Sequence, residues 1–236
     1  MNVLLFDEKD EVAPGRVRVA DRRHRHVCEI LRAKLGDSLS VGRIAGLLGR
    51  GRIVALDARG LELDVTLDRE PPAKLPITLA LALPRPPSLR KVLQQATALG
   101  VKRFVLFASA RVEKSYWQST GLEPAALRDQ LLLGLEQAVD TVLPEISFAR
   151  RFRPFVEDEL PRLARSARIL VAHPGSSAAL EAHAPEEAVL VVGPEGGLQE
   201  HELERLDAVG ASRIGLGPRV LRVETAVVAL LARLAG

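Results

Sequence analysis

Cysteine, aromatic residues and long apolar runs are what this chain of 236 residues has least of. A single cysteine, Cys28, excludes an internal disulfide and a cysteine-rich zinc site, and it suits a reducing compartment. Aromatics make up 3% of the residues. That is too few for a sheet platform on which bases stack, so nucleic acid would be held by phosphate contacts and shape. No stretch approaches the roughly 18 apolar residues of a membrane helix. The opening Met1-Asn2-Val3-Leu4-Leu5-Phe6-Asp7 carries only a short apolar run with acids behind it, and a cytoplasmic location is expected. No long polar tract interrupts the chain, and 47% apolar with 27% charged residues is enough to bury a real core.

What is present is concentrated near the C-terminus, in Gly193-Pro194-Glu195-Gly196-Gly197 and in the segment from Leu216 to Ala226, which reads Leu-Gly-Pro-Arg-Val-Leu-Arg-Val-Glu-Thr-Ala. Each follows a short apolar run that reads as a buried strand, Ala188 to Val192 and Ile214 to Leu216, and each precedes a helical pattern. Two strand ends thus present backbone to one place, where glycine lets a ligand touch peptide groups directly and helix N-termini add unpaired N–H groups. Gly-Pro-Glu-Gly-Gly alone is an ordinary turn signal; the pair of loops is far more specific.

The net charge of +3 is mild but unevenly spread. Arg16 to Arg52 holds ten Lys/Arg against Asp21, Glu29 and Asp37, and an acid-rich stretch from Asp57 to Glu70 follows. Such a block reads as a phosphate-facing surface or as a solvated basic face. The prolines of Glu70-Pro71-Pro72-Ala73-Lys74-Leu75-Pro76 mark a linker over 71–76. Before it, over residues 1–70, short runs (Val3 to Phe6, Arg16 to Val19, Ser38 to Val41, Arg52 to Leu56, Leu61 to Leu67) read as a small β-barrel, interrupted by a helix over Arg23 to Ala33 with Val27, Ile30 and Leu31 on one face. After it, over 77–236, strands and helices alternate. Strands are expected at Ile77 to Leu83, Val101 to Phe107, Ile169 to Ala172, Ala188 to Val192 and Arg213 to Leu216. Helices are expected at Leu89 to Leu99, Glu123 to Val139, Phe155 to Ala167, Glu200 to Val209 and Glu224 to Leu234. This is the pattern of an α/β domain with a mostly parallel sheet.

The two loops resemble the signatures of the RsmE family of ribosomal RNA methyltransferases, "GPEGG…E" and "LG-x-R-x-LR-x-ETA", within the SPOUT superfamily; Glu200 or Glu202 supplies the trailing acid. The likeness covers nearly the whole chain. Arg23 to Arg32 with Gly36-Asp37 is similar to the "H-x-x-x-VLR…GD" stretch of that family's PUA-like N-terminal barrel. Leu83-Pro84-Arg85, Ala96 to Val101, Ser109-Ala110-Arg111, and Glu136-Gln137 with Pro144 match further family patterns. Arg85 stands where lysine is usual, Ala98 where glutamate is, and Asp140 where arginine is. These departures bear on substrate contacts, not on the two loops.

The resemblance implies a C-terminal trefoil knot, which ordinary connection rules would not suggest. It implies S-adenosylmethionine as cofactor, no metal, a homodimer, and methylation of uridine N3 in 16S rRNA of the small ribosomal subunit. The cofactor-binding residues so implied are Leu170, Ala172, His173, Gly193, Pro194, Glu195, Gly196, Gly197, Leu216, Gly217, Leu221 and Thr225. A dimer also fits the apolar residues Val227, Val228, Leu230, Leu231 and Leu234 of the last helix, which exceed one face.

Methylating N3 removes a proton, so a base or an anion-stabilising cation is required. Arg222 and Glu224 in the second loop are the candidates, Arg222 for a uracil oxygen and Glu224 to orient it or take a proton; both equally suit capping and an ion pair at a helix start. Glu195, beside helix N–H groups, is a weaker base. RNA contacts are expected from Arg23, His24, Arg25, Arg32, Arg85 and Arg111. His24, His26 and Cys28 alternate like metal ligands, but in a helix alternate residues do not share a face. Gly42, Gly46, Gly49 and Gly51 with Arg43, Arg50 and Arg52 form no phosphate loop of the P-loop kind and read as a barrel hairpin. Two other readings stand beside the first: a SPOUT ribose 2′-O-methyltransferase, disfavoured by the lack of an Asn-rich loop between Leu83 and Ser115, and an RNA-binding homologue without catalysis.

Overall fold

In the computed structural model, residues 1–165, 167–174, 176 and 187–235 are described. They divide into two compact units, Met1–Ala73 with Leu132–Leu143, and Lys74–Leu131 with Pro144–Gly236.

The first unit is a barrel-like, six-stranded mixed sheet. Its strands are β1 (Leu4–Phe6), β2 (Glu11–Ala13), β3 (Arg16–Val19), β4 (Ser38–Arg43), β5 (Leu48–Asp57) and β6 (Gly60–Arg69), in the order β1-β4-β5-β6-β3-β2. Only β1 and β4 run parallel; the other pairs are antiparallel. Alternation places Leu4, Phe6, Val17, Val19, Val41, Ile53, Leu61 and Leu63 in one core. The glycine-rich segment is a β4–β5 hairpin, as its spacing predicts. At Gly49 a Cβ would lie 1.9 Å from the Thr66 carbonyl oxygen, so only glycine fits that strand crossing.

Helix α1 (Arg22–His26) is shorter than the expected Arg23–Ala33 span and opens into a wide turn over Val27–Leu31 that ends at Arg32 in the left-handed region, φ 51°. The extra residue per turn rotates the later side chains off the core-facing stripe. Val27 is buried, whereas Ile30 and Leu31 are exposed, contrary to the one-face expectation.

The second unit is a six-stranded, wholly parallel sheet in the order β12-β10-β11-β7-β8-β9. The strands are β7 (Ile77–Ala82), β8 (Arg103–Phe107), β9 (Glu145–Ala149), β10 (Arg168–Ala172), β11 (Ala188–Val192) and β12 (Ser212–Ile214). Around them lie α2 (Pro86–Ala98), α3 (Pro124–Ala138, whose last turns count with the first unit), α4 (Phe152–Pro154), α5 (Leu160–Ala164), α6 (Glu200–Ala208) and α7 (Val223–Leu234). β11 is buried at every residue, as befits a central parallel strand covered on both faces. The helix expected over Phe155–Ala167 is instead α4, a wide turn at Phe155–Glu159, and α5 ending at Arg165; Ser166 lies outside the described residues. Two short strands, β2 and β9, have no counterpart among the expected elements. No helix among the described residues is long and apolar enough to cross a membrane.

Candidate functional site

All strands of the second sheet run the same way, so their C-terminal ends and the loops beyond them share one edge. There the loops after β10, β11 and β12 enclose a cavity of about 250 Å³. Ten of the cofactor-binding residues expected from sequence lie in its wall: Ala172, His173, Gly193, Pro194, Glu195, Gly196, Gly197, Leu216, Gly217 and Leu221. Leu170 and Thr225 do not. Leu170 is buried two residues below the strand end, and Thr225 is exposed on α7 while Val223, Ala226 and Leu230, at helical spacing, face the cavity. Pro174, Val192, Leu198, Ile214, Gly215, Arg219 and Val220 complete the wall and were not anticipated.

The loops are held by contacts that reach far along the sequence. The His173 amide donates to the Ile214 carbonyl at 2.9 Å, and a Cβ on Gly215 would meet the Ser176 carbonyl oxygen at 2.7 Å, so the backbones after β10 and β12 touch at glycine. Gly197 and Gly217 have φ of +74° and +96°, a region that disfavours side chains. Glu195 accepts the Arg85 amide at 3.2 Å and lies 3.7 Å from its guanidinium. Arg111 donates to the Gly196 carbonyl. Of the two acids that could trail the first loop, Glu202 is the buried one. Its carboxylate accepts the Gln199 and Ala110 amides, both at 2.8 Å, capping α6 and tying it to the loop after β8. Glu200 instead pairs at the surface with Arg213.

Arg222 is the exposed N-cap of α7 and lies outside the cavity wall. Glu224 is turned away from the wall and buried, 3.3 Å from Lys91 of α2. Its own amide N–H, and then the Lys91 ammonium and Ser88 hydroxyl, hold its carboxyl below the usual range against the opposing effect of burial. Glu224 is therefore ionised at neutral pH and a poor proton acceptor. No motif in the sequence points to Lys91 and Ser88, which lie over 130 residues from Glu224.

In the first unit Arg23 is committed inward. All five of its N–H donors are used: two bonds to Asp10 (2.7 and 2.9 Å), one to the Leu5 carbonyl (2.7 Å), and the rest to Asp21. Burial alone would lower its pKa; the two carboxylates more than reverse that. Its expected role in RNA contact gives way to this one. His24 has its Nε2 buried without a hydrogen bond, while Arg25 and Arg32 are exposed. Glu136, part of the "EQ" match, is a buried bidentate partner of Arg22, at 2.9 and 2.7 Å. Among the described residues no His, Cys, Asp and Glu cluster is placed to hold a metal.

A family profile for RNA methyltransferase domains matches residues 71–235. The ribosomal RNA small subunit methyltransferase E of Treponema pallidum is 30% identical, over 98% of this chain and 90% of that protein; the protein of the same name from Mycobacterium bovis is 27% identical, over 87% and 80%. Among solved structures, a Legionella pneumophila protein in complex with the cofactor SAM superposes with a TM-score of 0.75 at 23% identity, over 99% of this chain and 96% of that one. The small subunit methyltransferase E of Neisseria gonorrhoeae, bound to S-adenosyl methionine, gives 0.73 at 22%, over 98% and 95%. At such identities the superpositions establish a shared fold.

Proposed function

Because this chain belongs to the ribosomal RNA small subunit methyltransferase E family of RNA methyltransferases, we propose that it methylates N3 of a uridine in 16S rRNA, with S-adenosylmethionine in the cavity between its two glycine loops. The observation that carries this reading is the convergence of both loops on one cavity.

The wall fits such a cofactor. Val192, Leu198, Ile214 and Leu230 offer apolar surface to a purine, and the amides of Leu216, Gly217, Val220 and Leu221 donate to no protein acceptor among the described residues. When bound, the cofactor supplies a methyl group already made electrophilic by its sulfonium. The chain's own task is chiefly alignment, an effect that reaches roughly 7–11 kcal/mol in favourable cases. Uracil N3–H is an imide and weakly acidic, so a cation at O2 or O4 stabilises the anion left as the proton departs. Arg222 takes that part in our reading, and Glu224, clamped by Lys91 and Ser88, is a positioning residue that sets where α7 and the loop before it begin. The C-terminal trefoil knot, the PUA-like character of the first unit, and a homodimer belong to the same proposal. Val227, Leu230 and Leu231 are buried within one chain, so the apolar surface of α7 lends the dimer little support.

Nucleoside mass spectrometry of 16S rRNA from a deletion strain tests the reaction. Loss of 3-methyluridine, restored by the intact gene, is expected; loss of a ribose-methylated nucleoside instead would replace this reading with the 2′-O one. Calorimetry should show S-adenosylmethionine binding without added metal.

A further inference from the structure

β7, β8 and β9 are neighbours in register, with Ala82, Phe107 and Ala149 side by side at their C-terminal ends. Adjacent strands lie about 4.8 Å apart. The loops leaving these ends carry Arg85, then Arg111, then Arg150 and Arg151, all exposed, in a row that begins at the Gly193–Gly197 loop through the Arg85–Glu195 and Arg111–Gly196 contacts. Among the described residues none of Arg111, Lys114, Arg150 and Arg151 pairs with a carboxylate.

Over this row lies the short turn Lys114–Gln118. It holds the only tyrosine and the only tryptophan of the chain, Tyr116 and Trp117, neither fully buried. The Arg150 guanidinium sits 5.0 Å from the Trp117 ring centroid, and the exposed Phe148 meets that ring edge-on at 6.3 Å. The Tyr116 phenol is raised above its ordinary value by desolvation and by the charges of Glu113 and Glu195, with Arg85 opposing, which sets its hydroxyl near the first loop. A chain with almost no aromatics thus groups its two polar aromatics beside unpaired arginines at the cavity edge.

We propose that the C-terminal edge of β7, β8 and β9 is a single-stranded RNA track, on which Arg85, Arg111, Arg150 and Arg151 hold phosphates and the Tyr116–Trp117 turn stacks an unpaired base beside the cofactor loop. The proposal rests on the RNA methyltransferase reading and gives it a second contact surface, independent of the first unit. Phosphate contacts supply affinity, and a π-face supplies sequence-tolerant stacking.

Trp117, as the only tryptophan, is its own reporter. Titrating the full-length protein with decauridylate at low salt should quench its emission saturably. By anisotropy of labelled decauridylate, Trp117→Ala should bind about tenfold or more weakly, Trp117→Phe should retain most of the affinity, and Arg150→Gln should weaken binding and reduce its salt dependence. Calorimetric binding of S-adenosylmethionine should be unchanged in all three, which also shows that they are folded. Absence of binding by the parent protein, equal binding by Trp117→Ala, or emission that follows protein concentration and ignores RNA would overturn the track. None of those outcomes touches the cofactor reading, which fails only if S-adenosylmethionine itself does not bind.

Discussion

In the first unit Arg16, Arg18, Arg22, Arg23 and Arg43 each face a carboxylate (Asp64, Glu62, Glu136, Asp10 with Asp21, and Glu11), whereas along the sheet edge of the second unit Arg111, Arg150 and Arg151 face none among the described residues. The window Arg16–Arg52 is the most basic in the sequence, yet half of its ten cations are neutralised in the fold, mostly by acids that lie outside it. Charge density along a chain measures neither free charge nor a binding face. What remains exposed and unpaired in that window is Arg25, Arg32, Lys34, Arg50 and Arg52.

The sharpest break between the two kinds of arginine should appear in stability. Arg23→Met leaves Asp10, 8% exposed, without its bidentate partner. Removing one side of a buried pair costs about 3–5 kcal/mol, so thermal or urea unfolding should show a large loss. A loss under about 1 kcal/mol would mean that Arg23 is free for RNA after all. Next in size is the loop contact of the second unit. Gly215→Val drives a Cβ onto the Ser176 carbonyl oxygen and should lower S-adenosylmethionine affinity about a hundredfold by calorimetry, with the first unit unaffected. Unchanged affinity in the folded variant would remove the cavity from the account.

A smaller effect concerns pH. The folded-state pKa of Glu224 is depressed, so the stability it contributes is fully present above its unfolded pKa near 4.3 and is lost as pH falls through the lower folded value. Glu224→Gln should therefore be less stable than the parent at pH 7, by under about 1 kcal/mol since Lys91 is largely exposed, and the difference should vanish below about pH 4. If Glu224 were the proton acceptor instead, this variant would lose turnover with an unchanged unfolding profile.

The cavity wall was legible in the sequence because Gly193–Gly197 and Leu216–Leu221 are contiguous, and contiguous loops bring their own geometry. Partnerships were not. Lys91 with Glu224, Asp10 with Arg23, Ala110 with Glu202 and Trp117 with Arg150 join residues that only the folded chain brings together. β9 escaped detection because Glu-Ile-Ser-Phe-Ala, an edge strand with exposed Glu145, Ser147 and Phe148, lacks the apolar run of a central parallel strand. The wide turn after α1 was invisible to a 3.6-residue period, which is why Ile30 and Leu31 were assigned to a core they do not enter. Sparse aromatics argued against stacking when counted over the whole chain, but position, not frequency, decides whether one ring can receive one base.

The smallest expected change in stability accompanies the most direct test. Neutralising Arg111, Arg150 and Arg151 to Gln should leave unfolding within about 0.5 kcal/mol of the parent, as for exposed, unpaired side chains. Binding of small-subunit RNA should lose about 0.7 per phosphate contact in the slope of log affinity against log salt, or about 2 in all. The matched triple variant Arg16, Arg18 and Arg43 to Gln removes the same charge from paired positions and should leave that slope nearly unchanged. Equal slopes for the parent and the Arg111, Arg150 and Arg151 variant, with a reduced slope for the paired triple, would contradict the claim that unpaired arginines at the sheet edge, and not the most basic stretch of sequence, hold the RNA.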